Sequence, residues 1–209
     1  MAALGRRPIA LQHALLGLLA RRSLTGWEIL KRFRRSIVFF WHAERSQIYA
    51  ALKHLEGLGL VRSRLGVRGA RPATRRYAIT PAGRAALVAW LDRPTRAQAV
   101  KDEMLLRTFF SDVLAPARAG QYLRSHAGDH RGVLAEFEAI RAALEARYGD
   151  LGSTDDRALA FGYLVLEQGV RFERMYAEWC EWAADAVERR CPAPGRARDS
   201  RGADFILTG

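Results

Sequence analysis

Apolar residues recur along this chain at helical spacing almost throughout, with one stretch of a different character between residues 61 and 79. Leu11, Leu15, Leu18 and Leu19 follow i, i+4, i+7, i+8 and predict an amphipathic helix over about residues 9–20. Thr25-Gly-Trp-Glu28 then has the form of a capping box, in which the Thr25 hydroxyl accepts from the N3 amide and Glu28 reaches back to the Thr25 amide. The helix it opens runs to about residue 35. Trp27, Ile29, Leu30 and Phe33 are expected on its buried side, with Lys31, Arg32, Arg34 and Arg35 on a basic one. Residues 37–41 read as a hydrophobic connector.

A third helix is predicted over about residues 44–58. With Ile48 at zero and ~100° per residue, Ala51, Leu52, Leu55 and Leu58 cluster around it. Ser46, Ala50, Lys53 and Gly57 fall on the opposite side, with Tyr49 and His54 at the margins. That outward face carries no acid. Gly57 and Gly59 stop the helix. Residues 61–65 and 75–79 are strand-like, joined by the turn Gly66-Val-Arg-Gly-Ala-Arg-Pro72. Thr80-Pro81 starts a fourth helix, Thr as N-cap and Pro at N1, that runs to about residue 91, and Pro94 marks a boundary.

The second half is helical. A helix over residues 98–113 carries Met104, Leu105, Phe109 and Val113. Pro116 opens one that continues to Tyr148, ~50 Å at the usual rise, with Leu123, Val133, Leu134, Phe137, Ile140 and Leu144 among its apolar positions. Residues 149–154 form a turn. Another long helix is predicted over residues 155–190, with Leu159, Leu166, Val170, Phe172, Tyr176, Trp179 and Trp182. Beyond Pro192 the composition turns to Pro, Gly and Arg, the mark of a disordered tail. Two long helices and a short one make a poor self-contained core, which predicts that they bury a seam against a second copy.

Charge changes this picture from architecture to partner. Of the net +12, residues 1–90 hold 17 basic and 3 acidic side chains, and the remaining residues hold 17 and 19. A coding bias explains why 31 of the 34 cations are arginine, but not why acids nearly vanish before residue 90. A basic head on a near-neutral body fits a nucleic-acid binder. The helix over 44–58 would enter the major groove and the arginine-loaded hairpin would meet phosphates, the arrangement of a winged helix-turn-helix.

The fold expected is therefore mainly α with a small β-hairpin. It comprises an N-terminal winged helix-turn-helix over 1–93, a long-helix C-terminal dimerisation domain over 94–191 with room for an effector, and a tail over 192–209. Arg6 and Arg7 before an apolar stretch faintly imitate a leader, but Gln12 and His13 interrupt it, and a first helix is the expected reading. No apolar run approaches the ~20 residues of a membrane span. Cys180 and Cys191 would lie ~16 Å apart on one helix, too far to bridge, which suits a reducing cytoplasm.

ALLGLLARRSLTGWEILKRF, FFWHAERSQIYAALKHLEGLGLV, RRYAITPAGRAALVAWL and KDEMLLRTFF, with Trp179 and Trp182 in the last helix, resemble the PadR family of bacterial transcriptional regulators. The length of the helical C-terminal part resembles the family's large-domain branch. The resemblance implies a homodimeric repressor whose C-terminal helices exchange contacts with the partner's first helix. It also implies DNA contact by Tyr49 and Lys53, backbone contact by the wing, and, in some members, release by phenolic acids or hydrophobic drugs.

Candidate DNA contacts are Arg45, Ser46, Gln47, Tyr49, Lys53, His54, Arg64, Arg68, Arg71 and Arg75. Lys53 suits a phosphate or guanine, and Tyr49 a phosphate or, alternatively, a supporting role in the helix turn. Ser46 and Gln47 sit in the first turn, where they read bases or merely cap. Arg68 and Arg71 are the leading wing residues for phosphate or minor-groove contact. Trp90, Phe109, Tyr176 and Trp179 are candidates for an effector cavity, against the alternative that aromatic stripes form core and seam. His126, Asp129 and His130 have the spacing of metal ligands on one face, but no supporting ligand completes the set, so no metal or cofactor is expected. No nucleophile motif, phosphate-cradling loop or acid–base pair points to catalysis; the Gly66–Gly69 turn lacks the helix a phosphate loop requires. The rival reading is a winged helix used for protein–protein association, and a more distant one an enzyme built on the C-terminal aromatics.

Overall fold

The computed structural model describes residues 9–37, 41–68, 71–94 and 101–190. It divides into two compact units, residues 1–98 and 99–209, each with its own core. The expected tail over 192–209, Cys191, and parts of the connector, the wing turn and the segment 95–100 lie outside the described residues.

In the first unit the elements are α1 (Ile9–Arg21), β1 (Leu24–Thr25), α2 (Gly26–Ser36), α3 (Arg45–Gly57), β2 (Val61–Arg68), β3 (Arg71–Ile79) and α4 (Pro81–Leu91). The predicted capping box is present: the Glu28 amide donates to the Thr25 hydroxyl at 3.2 Å and the Thr25 amide to the Glu28 carboxylate at 2.7 Å. These bonds, the Thr25 amide first among them, hold the Glu28 carboxyl below its ordinary pKa. Leu11, Leu15, Leu16, Leu19, Ile29, Phe33, Ile48, Leu52, Leu55 and Val61 fill the core. Leu16 takes the buried place expected for Leu18, which packs at its edge. The three strands form an antiparallel sheet in the order β1-β3-β2. β1 was not expected: its two residues pair with Tyr77 and Arg76 of β3, too short a segment for an alternating pattern to mark. β2 and β3 run further than 61–65 and 75–79, because pairing continues to Gly66↔Thr74 and Arg68↔Arg71 and takes up much of the expected turn.

The joint between β3 and α4 explains TPAG. Thr80 Oγ1 accepts from the Gly83 amide at 3.1 Å and donates to the Gly59 carbonyl at 2.8 Å, while the Thr80 amide donates to the Leu60 carbonyl at 3.1 Å. A Cβ on Gly83 would stand 2.1 Å from the Leu60 carbonyl oxygen, so only glycine lets α4 approach this closely. Gly59, at φ +68°, turns the chain out of α3 in the left-handed region.

The second unit holds α5 (Glu103–Phe109), a single 3-10 turn (Ser111–Val113), α6 (Pro116–Tyr148) and α7 (Arg157–Arg190). α5 is shorter than the predicted 98–113. Asp102 caps it, accepting from the Leu105 amide at 3.0 Å, and Pro116 holds Ala115 extended, so the chain leaves the helix beforehand. α6 has the predicted bounds, ending where Gly149 adopts φ +77°. α7 starts later than residue 155 because Asp156 Oδ1 accepts from the Ala158 and Leu159 amides at 2.9 and 3.1 Å.

α6 and α7 form an antiparallel pair. Met104, Leu123, Ala127, Tyr176, Cys180, Ala183 and Ala184 pack together, and Phe137 lies close enough to Gly169 that a Cβ there would meet its ring at 2.8 Å. Charged side chains lace the pair: Arg124 to Asp185 and Glu188, Arg131 to Glu181, Arg141 to Glu167, and Arg174 to Glu138. Several apolar positions expected inside are not. Phe109 is 52% and Val113 82% exposed.

Candidate nucleic-acid interface

The core fixes how α3 presents itself. Ile48, Ala51, Leu52 and Leu55 are buried, so Arg45, Ser46, Gln47, Ala50, Lys53 and Gly57 stand in solvent, and Tyr49 and His54 lie half-buried at the two margins. The angular reading of the helix is thus the one observed, except at Leu58, which is 52% exposed because it is already the C-cap, past the last helical turn. Gln47 shows the capping alternative: its side-chain oxygen accepts from the Glu44 amide at 2.9 Å. Its amide nitrogen has no protein partner among the described residues. Arg45 lies 5.7 Å from the Tyr49 ring, a cation–π contact that orders both groups at the helix's leading end.

On the wing, Arg62 and Arg64 are exposed on β2, and no carboxylate pairs with either among the described residues. Arg62 was not among the expected contacts, although it alternates with Val61 and Ser63 on the face that Arg64 shares. Arg75 is different. Its guanidinium lies 3.5 Å from the Glu56 carboxylate on α3, which also accepts from the Ser63 hydroxyl. That ion pair ties the β-hairpin to α3 and leaves Arg75 half-exposed. Arg76 pairs with Glu28 at 3.3 Å and donates to the Ser23 carbonyl. Arg68 and Arg71 face one another across the end of the hairpin in backbone register; their side chains lie outside the described residues.

Trp27 is a correction. Expected on the buried side of α2, it is 65% exposed, with the Lys31 ammonium 5.0 Å over its ring. Counting ~100° per residue from the buried Ile29 puts Trp27 at about 160°, beside Lys31 and Arg34. The signal was in the sequence, but the apolar character of the indole outweighed its angle.

The four effector candidates are divided between the two units. Trp90 belongs to the first unit and stacks on His13 at 4.7 Å. In the second unit Tyr176 and Trp179 meet edge to face at 6.0 Å, inside a ladder in which His130 stacks on Tyr176 at 4.3 Å. The Tyr176 hydroxyl donates to Asp102; burial first, then this bond, raises the phenol's pKa, and the same bond lowers that of the carboxylate. Phe109 packs edge-on against Phe110 at 5.0 Å. A cavity of about 600 Å³ in this unit is lined by Leu106, Arg107, Phe110, Ser111, Val113, Leu114, Arg118 and Tyr122, none of them among the four. Of the spaced triplet, His130 engages Glu173, His126 meets Tyr122, and Asp129 is exposed.

A three-helix core, a three-stranded sheet with a two-strand wing, and a solvent-facing third helix free of acids define a winged helix-turn-helix protein with a helical C-terminal unit. Residues 15–89 match the Transcriptional regulator PadR-like family, and residues 100–188 match Virulence activator alpha C-term. The chain is 31% identical to the Probable transcriptional regulator Rv1176c of Mycobacterium tuberculosis, over 87% of this chain and all of that one. It is 30% identical to the Negative transcriptional regulator PadR of Bacillus subtilis, over 82% and 93%. The structure of that Bacillus protein in complex with operator DNA superposes with a TM-score of 0.76 at 27% identity, covering 85% of this chain and 99% of the other. It has also been solved with p-coumaric acid, with a TM-score of 0.75 at 27% identity, covering 88% and 98%. The chain belongs to the PadR-like family of transcriptional regulators.

Proposed function

We propose that this regulator is a homodimeric, sequence-specific repressor acting in the cytoplasm on a pseudo-palindromic operator. α3 enters the major groove, Ser46, Gln47 and Lys53 lie at its base edges, Tyr49 and His54 flank them, and Arg45 meets the phosphates. Arg64, Arg68 and Arg71 hold the backbone beside the groove, with Arg75 fixing the wing to α3. The observation that carries this reading is the face of α3 itself: its opposite side is locked in the core, while the outward side offers small residues, a cation and no acid. The operator complex of the Bacillus relative supports it.

The second copy is supported by α7. Phe161, Val165, Gln168, Phe172, Met175, Trp179 and Trp182 alternate at spacings of four and three, a heptad seam. Phe161, Val165, Phe172, Met175 and Trp182 are 42–62% exposed. Patches of that kind mark association surfaces. The apolar cavity beside Arg107 and Arg118 suits a hydrophobic or aromatic carboxylate as effector, as the p-coumaric acid complex of the Bacillus relative suggests.

Tyr49→Ala combined with Lys53→Ala should abolish binding to duplex from the chain's own upstream region while the protein remains a folded dimer. Retained binding by that pair would move the reading surface away from α3.

A further inference from the structure

The exposed tryptophan of α2 has no structural use in the first unit. Ile29 and Phe33 bury that helix, at 0% and 1% exposure, without it. A large indole left in water on a folded domain is uncommon enough to ask what covers it. Its neighbours on that face are Lys31, 5.0 Å over the ring, and the exposed Arg34. The one acid close in sequence, Glu28, is occupied by the Thr25 amide and Arg76.

The start of α2 meets α3 at a margin of its outward side. A Cβ on Gly26 would meet Tyr49 Cε1 at 2.7 Å and the Tyr49 hydroxyl at 2.8 Å. The phenol therefore lies against the residue that precedes Trp27, and the Arg45 guanidinium lies 5.7 Å from the same ring. Arg45 and Tyr49 on α3 and Trp27 and Lys31 on α2 thus flank the junction at which the buried Gly26 meets the Tyr49 ring. Its chemistry is cationic and aromatic with no free carboxylate. Protein interface cores are depleted of unpaired lysine, which argues against an apolar protein partner here.

We propose that Trp27 and Lys31 form a second DNA-backbone contact, the indole lying against deoxyribose with Nε1–H donating to a phosphate, and Lys31 neutralising a neighbouring phosphate. The proposal rests on the reading that α3 occupies the major groove. It adds that α2 sets the angle at which α3 enters, through an aromatic side chain that also confines the lysine. Phosphate contacts position a protein without reading sequence, so this pair contributes equally on any duplex.

The test compares wild type, Trp27→Ala, Trp27→Phe, Lys31→Ala and Lys53→Ala on two duplexes, one from the native upstream region and one random sequence of about 30 bp. Lys31→Ala should weaken both by the same factor and reduce the salt slope by about one. Trp27→Ala should weaken both by roughly three- to tenfold, the worth of one hydrogen bond, without changing the slope. Wild type should lose more tryptophan fluorescence on adding either duplex than Trp27→Phe does, a readout that a merely structural role would not move. If Lys53→Ala loses affinity while the Trp27 and Lys31 variants bind like wild type, the groove reading stands and this contact is refuted. If wild type binds neither duplex, the groove reading fails and takes this contact with it. Quenching of Trp27 by phosphatidylserine vesicles and not by duplex, or a change in oligomer size in Trp27→Ala, also overturns it.

Discussion

The two units leave opposite things unsatisfied. In the first, apolar side chains are largely enclosed, and Leu15, Leu24, Ile29, Leu52 and Leu55 are fully buried. Most of its cations are not matched: Arg75 and Arg76 pair with Glu56 and Glu28, but Arg21, Arg22, Lys31, Arg34, Arg45, Lys53, Arg62 and Arg64 have no carboxylate within ion-pair distance among the described residues. In the second unit the proportion is reversed: Arg107, Arg124, Arg131, Arg141, Arg171, Arg174 and Arg189 each have one, and Lys101, Arg118, Arg147 and Arg157 do not among the described residues. There it is Phe110, Val113, Phe161, Leu164, Met175 and Trp182 that stand in water. A surface of unmatched cations calls for a polyanion, and a surface of unmatched hydrocarbon calls for another apolar surface. This contrast is the physical ground on which we propose different partners for the two units.

The strongest way to break this contrast is to spoil the apolar seam. Phe172→Glu together with Met175→Glu should convert the protein to a species of one chain's mass, 23.4 kDa, by light scattering. Affinity for the upstream duplex should fall on the order of 100-fold as the second head loses its tether. A variant that stays dimeric would place the seam elsewhere. Next, Gly83→Ala drives a methyl into the Leu60 carbonyl. It should cost the first unit about 1–3 kcal/mol, seen as a lower melting temperature, with the helical pair of the second unit unaffected.

A smaller effect separates the two kinds of wing arginine. Arg64→Ala should reduce the salt slope of binding by about one. Arg75→Ala should reduce it by less, because Glu56 already neutralises that guanidinium. Glu56→Gln frees Arg75 and should tighten binding to any duplex; equal slopes for both arginine variants would show that the ion pair opens on DNA.

The smallest effect is a pH response confined to the second unit. The folded pKa of Asp102 is lowered, first by the Tyr176 hydroxyl and then by the Leu105 amide. A depressed carboxylate contributes stability that is present above its unfolded value, near 3.8, and is lost as pH falls through the folded value. Tyr176→Phe should therefore flatten the acid limb of the melting-temperature profile below about pH 4. An unchanged limb would mean the bond is not made in solution.

Much of this was legible in the sequence, and for identifiable reasons. Capping is local chemistry, so Thr25 with Glu28 and Thr80 with Pro81 gave helix starts that the structure shares. α6 is bounded by Pro116 and Gly149, both strong punctuation, and its limits were read correctly. The angular count on α3 separated core from solvent because Ile48, Ala51, Leu52 and Leu55 are unambiguous. What was not legible depended on distant partners. β1 exists only because Tyr77 and Arg76 lie opposite it. The engagement of Arg75 depends on Glu56, nineteen positions away. Val113 is apolar at an expected helical position, yet the chain has already left the helix there. On the face of α3, Lys53 and Ser46 could be placed in solvent from spacing alone, whereas Trp27 was put on the wrong side of α2 because residue type was weighed above angle.

The most direct test of the central claim is fluorescence anisotropy of a labelled duplex from the chain's own upstream region, titrated with the full-length protein at 50 and 200 mM salt. With about six phosphates neutralised, affinity should fall on the order of 10³-fold between the two. Weak binding to every such duplex at 50 mM, or an affinity indifferent to salt, would contradict the account.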